Sequence, residues 1–175
     1  MRLRLEDVLM EENVCYGYGG ALSATTALVL LSGITMVGNQ GIYAGGAIDC
    51  VQANLYADGL HLAYNYAYYD GGGIQVGTGC RMELQAALVE MNRAGGNGGG
   101  LQVYGQVVVG LSVFTDCVAE DGAAISFTSL HTEVGAEDAN YISNSTFSQN
   151  QARGNGAVFY VYIQEMVLSR EHQLP

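Results

Sequence analysis

Asp70 and Asp121 carry the most specific hint of chemistry in this sequence. Each stands directly before a glycine in a ten-residue frame that recurs along the chain. If the frames stack as strands, the two acids lie two steps apart, or roughly 9.6 Å at the spacing of hydrogen-bonded strands. An acid and a base about 6.5–9.5 Å apart flank the attacking water of an inverting glycosidase. The same column holds Tyr18, Ala44, Asn97 and Asn155. Asp or Asn before Gly also forms turns, which explains both acids more simply. No third acid stands with them, although Tyr66, Tyr68 and Tyr69 are nearby.

Other chemistries find less support. A lyase acting on polyuronates needs a base and cationic holds, for which Arg93 and Arg153 are the available residues. The chain has 6 Arg, no Lys and 17 Asp and Glu, for a net charge of −11. That balance disfavours polyanionic substrates and excludes a nucleic-acid surface. His61, His131 and His172 are scattered, and His61 between Leu60 and Leu62 is expected to face solvent. Glu133, Glu137 and Asp138 could hold calcium, the one cofactor the sequence suggests. Their spacing fits no calcium-loop motif, so a solvated acidic loop is the expectation. Asn144-Ser-Thr146 is a glycosylation sequon, but it lies within the repeat, where Ser and Thr are ordinary strand residues. The threonines form no regular ladder of the kind that binds ice. Cys15, Cys50, Cys80 and Cys117 show no metal spacing. Because Cys15 and Cys50 occupy positions that other copies fill with apolar residues, buried free thiols are expected instead of two disulfides.

The elements that would position these residues follow from the frame itself. It reads Asn, five residues, a Gly pair, a small residue and an aliphatic. Copies start at Asn13, Asn39, Asn65 and Asn92, with looser ones at Asp116 and Asn150, so the steps are 26, 26, 27, 24 and 34 residues. A fixed period of this size means stacked repeats. An apolar residue precedes each start by three: Met10, Met36, Leu62, Val89, Val113 and Phe147. After the Gly pair, the column Leu22, Ile48, Ile74, Leu101, Ile125 and Phe159 is followed two residues on by Ala24, Cys50, Val76, Val103, Phe127 and Val161. Polar residues lie between, which is the period of a strand with one buried face. Similar alternations precede the Asn and lie between the two, giving three short strands per repeat. Arg81–Arg93 could be read as a helix, but its place in the period argues for strand.

Stacked in this way, the Asn column forms a ladder continued by Asp116 and Asn150, at corners where Asn tolerates left-handed backbone. The Gly pair turns the chain where a Cβ would clash. The long last step comes from an acidic loop at 130–140, expected to protrude. Residues 1–163 are thus expected to form the stack and 164–175 a tail. The 25 Gly and single Pro fit ordered corners. No apolar run reaches membrane-spanning length and no secretion signal is visible. The pattern runs close to both termini, as in a piece of a longer protein. Exposed edges at Arg2–Glu6 and Phe159–Ile163 would favour end-to-end self-association.

Gly-Gly-Ala-[Leu/Ile] with an upstream apolar-x-x-Asn resembles the GGA[ILV] and FxxN repeats of the chlamydial polymorphic outer-membrane proteins. Gly19–Leu22 and Gly45–Ile48 match the first pattern, and Phe147-Ser-Gln-Asn150 the second. Related repeats occur in right-handed, pectin-lyase-like β-helices. The resemblance implies an all-β, right-handed single-stranded parallel β-helix of about six to seven coils of 24–27 residues. It also implies a non-enzymatic adhesive or structural module on an extracellular surface, with a protein or glycan partner. The alternative is a carbohydrate-active enzyme of the pectin-lyase-like class using Asp70 and Asp121.

Overall fold

A computed structural model describes residues 1–129 and 140–163. The loop acids Glu133, Glu137 and Asp138, together with His131, His172 and the 164–175 tail, lie outside the described residues. Within them the chain is all β, without a helix, and winds as a parallel solenoid of six rungs separated by about five turns. This is the lower end of the expected coil number.

Each rung contributes one strand to each of four six-stranded sheets, where three strands were expected. The first sheet contains Arg2–Glu6, Leu28–Ser32, Asn54–Asp58, Arg81–Gln85, Gln106–Gly110 and Tyr141–Ser143. The second contains Leu9–Glu11, Thr35–Val37, His61–Ala63, Leu88–Glu90, Val113–Thr115 and Thr146–Ser148. The third, missed by the sequence reading, has two-residue strands such as Gln40–Gly41, Tyr66–Ala67 and Arg93–Ala94. The fourth follows the glycines: Leu22–Thr25, Ile48–Val51, Ile74–Val76, Leu101–Val103, Ile125–Ser129 and Phe159–Ile163. Arg81–Arg93 is strand, as its register required.

The core is a bundle of columns, because parallel pairing places like residues one above another. Ile48, Ile74, Leu101 and Ile125 form one buried column, and Met36, Leu62, Val89 and Phe114 another. Asn39, Asn65 and Asn92 are the buried polar counterpart. Each Asn receives two bonds on its side-chain oxygen from the rung before. The backbone N–H and amide of Asn39 reach Asn65 Oδ1 at 2.9 and 3.0 Å, and those of Asn65 reach Asn92 Oδ1 at 3.0 and 2.9 Å. The amides also cap carbonyls, with Asn65 Nδ2 donating to Met36 O at 2.9 Å. Every donor and acceptor of these buried amides is thereby engaged, as burial demands.

The ladder differs from expectation in two ways. The left-handed residue is the one before the Asn: Glu12, Gly38, Tyr64, Met91, Asp116 and Gln149 all have φ between 52° and 65°. The Asn supplies its side chain, not its backbone. In the fifth rung the ladder residue is Cys117, not Asp116, and the apolar partner is Phe114, not Val113. Phe114 is fully buried and stacks on Phe147 at 5.1 Å, whereas Val113 is 37% exposed. The frame misled because the loop after Cys117 is one residue shorter than the others, which restores the glycine register. Cys117 Sγ takes bonds from the backbone and amide of Asn92, in the place of an Asn oxygen, and burial pushes the thiol up to about 12. Its own N–H donates to Asn150 Oδ1 at 3.0 Å.

The glycine pair divides its labour. Gly45 adopts φ 63°, and Gly46 lies so close to the next rung that a Cβ would run into the Gly72 carbonyl. The cysteine expectation is corrected as well. Cys50 and Cys80 form a disulfide, with Cα atoms 6.0 Å apart. Cys80 follows the turn after the strand that pairs with Cys50's own, so the bridge crosses one rung step, a diagonal not visible in column spacing. Cys15 and Cys117 are free.

Two outcomes follow. Asn65→Ala should cost about 3 kcal/mol in urea unfolding, since it strands buried partners on both sides, while Asn13→Ala at the exposed end should cost under about 1 kcal/mol. Replacing Cys50 and Cys80 together with Ala should cost about 3–4 kcal/mol, the chain-entropy value for a 30-residue separation.

Candidate functional site

Asp70 and Asp121 are positioned alike, and both face the next rung. Asp70 Oδ1 accepts the Asn97 backbone N–H at 2.7 Å, and Oδ2 accepts the Tyr104 phenol at 3.3 Å. Asp121 Oδ1 accepts the Asn155 backbone N–H and its side-chain amide, the latter at 3.1 Å. The receiving loops are Gly96-Asn97-Gly98 and Gly154-Asn155-Gly156. A side chain on Gly96 or Gly154 would run into the carboxylate below. Each acid is therefore a cap for the following loop, and Gly-Asn-Gly one rung later was the sequence signal for it.

The remaining candidates also resolve into local roles. His61 faces outward between buried Leu60 and Leu62, as expected, and pairs with Glu90 at 2.8 Å. Arg93 and Arg153 lie on the third-sheet side, separated by the fifth rung. Among the described residues no three His, Cys, Asp or Glu side chains converge as a metal site. No helix there is long and apolar enough to cross a membrane.

What the fold does gather is tyrosine. The corner between the third and fourth sheets carries Tyr18, Tyr43 and Tyr69 on three successive rungs, each about half-exposed. Tyr18 and Tyr43 rings lie 5.5 Å apart, Tyr43 and Tyr69 stack at 6.2 Å and 10°, and Tyr68 meets Tyr69 edge-on at 5.0 Å. Tyr16, two residues before Tyr18 on the same rung, is 84% exposed. The tyrosines near Asp70 were legible in sequence. Their alignment with Tyr43, which shares Tyr69's place in the frame, went unread, and Tyr18 stands one place later in its own frame. The result is an exposed edge of neighbouring tyrosine rings.

Two other surfaces carry polar groups. On the first sheet, a shallow cavity of about 400 Å³ is lined by Leu30, Tyr56, Asp58, Glu83 and Gln85, with Arg81 holding Glu83 at 3.3 Å. On the fourth sheet, the outward column runs Ser23, Asp49, Gln75, Gln102 and Ser126. Asp49 is buried there and accepts Gln75 Nε2 at 3.1 Å and Ser23 Oγ at 3.5 Å. Loss of water raises its carboxyl above the ordinary 3.8, and the two hydrogen bonds only partly offset this.

No protein-family model, curated protein or solved structure matches this chain.

The raised Asp49 carboxyl has a defined pH signature. The folded chain holds this proton more tightly than the unfolded chain, so its contribution is present below pH 3.8 and is lost as pH rises through the folded-state value. Asp49→Asn should therefore be more stable than the parent at pH 7, with the gap closing below pH 3.8 in urea titrations.

Proposed function

We propose that this chain is a non-enzymatic adhesive module of an extracellular surface, in which the solenoid is a rigid stand and the tyrosine edge grips a protein partner. The row of Tyr16, Tyr18, Tyr43, Tyr68 and Tyr69 carries this reading. Exposed aromatic rows mark interaction surfaces. Tyrosine supplies large amphipathic contact area with few rotatable bonds, and the stacked rings are ordered before any partner arrives. The Cys50–Cys80 bridge supports an oxidising location. The GGA[ILV] and FxxN likeness to chlamydial polymorphic outer-membrane proteins supports a passenger-like role. The use of Asp70 and Asp121 as loop caps favours this reading over a carbohydrate-active enzyme.

The test is retention of the protein on a panel of immobilised extracellular-matrix and cell-surface proteins. The parent should be retained by at least one. A Tyr18→Ser, Tyr43→Ser, Tyr69→Ser triple variant of unchanged thermal midpoint should lose that retention by tenfold or more. Equal retention by the triple variant would overturn the role of the edge.

A further inference from the structure

The fourth sheet holds polar groups that the fold itself leaves unused. Gln102 and Ser126 are register partners on adjacent strands. Both alternate with core residues, Leu101, Val103, Ile125 and Phe127, and so lie on the outer side of the sheet. Both are nevertheless fully buried. Gln102 Nε2 donates to Thr128 Oγ1 at 3.1 Å, but Gln102 Oε1 and Ser126 Oγ have no hydrogen-bond partner. A buried acceptor and a buried hydroxyl left unpaired cost the fold stability and return nothing to it.

The surroundings describe what would complete them. One and two rungs away, Gln75 and Asp49 continue the same column with an amide and a carboxylate. Tyr104 follows the Leu101–Val103 strand and bonds Asp70, which precedes Ile74–Val76 one rung away. The phenol therefore bridges the outward side of these two strands. Toward the other end of the face, Tyr160 and Tyr162 stack at 6.3 Å and 8°. Amides, hydroxyls, one carboxylate and flanking phenol rings, without a cation among the described residues, match a ligand whose groups both donate and accept and which has apolar C–H faces. Adjacent sugar hydroxyls have that chemistry. The net charge of −11 selects against acidic sugars.

We propose that the outer side of the fourth sheet, from Asp49 to Ser126, is a binding site for a neutral glycan, with sugar hydroxyls bonding Gln102 Oε1 and Ser126 Oγ when Tyr104 swings away from Asp70. This goes beyond the tyrosine edge, uses different residues and stands or falls separately. Tyr104 is the latch. Its bond to Asp70 keeps the site closed in the free protein, and ligand binding exchanges that bond for those to the sugar.

The experiment is an array of neutral and uronic-acid oligosaccharides probed with the full chain. The parent should be retained on at least one neutral glycan and on no uronate. Tyr104→Phe, which lacks the latch hydroxyl, should bind that glycan threefold or more tightly. Gln102→Met and Ser126→Ala should each lose tenfold or more while melting at or above the parent's temperature, which separates lost binding from lost folding. A Tyr43→Ser, Tyr69→Ser variant should keep glycan retention even where it loses a protein partner. The proposal is overturned if neither the parent nor Tyr104→Phe holds a neutral glycan, or if uronates alone are held. It is equally overturned if Gln102→Met and Ser126→Ala bind as the parent does, which would leave the column a strut only.

Discussion

The asparagine ladder is the constraint on which the rest depends. A parallel stack of short strands has a weakness, since a slip of one residue turns every inward side chain outward. Backbone bonds alone penalise such a slip little in strands of two or three residues. A buried amide that must find the amide of the next rung penalises it heavily, because a slipped rung leaves two polar groups unpaired in the core. Asn39, Asn65 and Asn92 thus hold the register that lets Ile48, Ile74 and Leu101 stack. The left-handed residue before each ladder position, and the glycines after it, are the corners that bring the chain back to the same place.

Once the core is columns, the surface is columns too, and this is how a repetitive sequence acquires local character. Tyr18, Tyr43 and Tyr69 are brought together because successive rungs lie one strand spacing apart, closer than sequence distance suggests. Gln102 and Ser126 meet for the same reason. The two surfaces differ in what the fold asks of them. The tyrosines lie open and cost little. In the polar pair, Gln102 Oε1 and Ser126 Oγ are buried without partners on the outer side of their sheet. Caps such as Asp70 and Asp121 show the opposite case, in which an acid's Oδ1 is taken up by the loop of the next rung.

Much of the fold was legible because it repeats. The period, the glycine corners and the alternation after them all follow from residues spaced alike, and parallel stacking turns like spacing into contact. What was not legible was where copies deviate. The third-sheet strands are two residues long, too short to show any alternation. The one-residue deletion after Cys117 shifted the apparent frame onto Asp116 and Val113, and only pairing with Asn150 and Phe147 reveals the true register. The Cys50–Cys80 bridge crosses between columns, so column reading pointed away from it. For the site, the acids were found but their direction was not, because nothing in Asp-Gly says whether the carboxylate faces solvent or the next rung.

Native-state hydrogen exchange on the Asn residues measures the ladder most directly. If the ladder holds the register, the backbone N–H groups of Asn39 and Asn65 and their side-chain amides exchange only on global unfolding, as slowly as the amides of the Ile48 and Ile74 strands. The Asn13 amide, at the exposed end, exchanges faster. Exchange of Asn39 and Asn65 at the rate of exposed corner residues, with the strands still protected, would show that the strands stack without the ladder and would contradict the account.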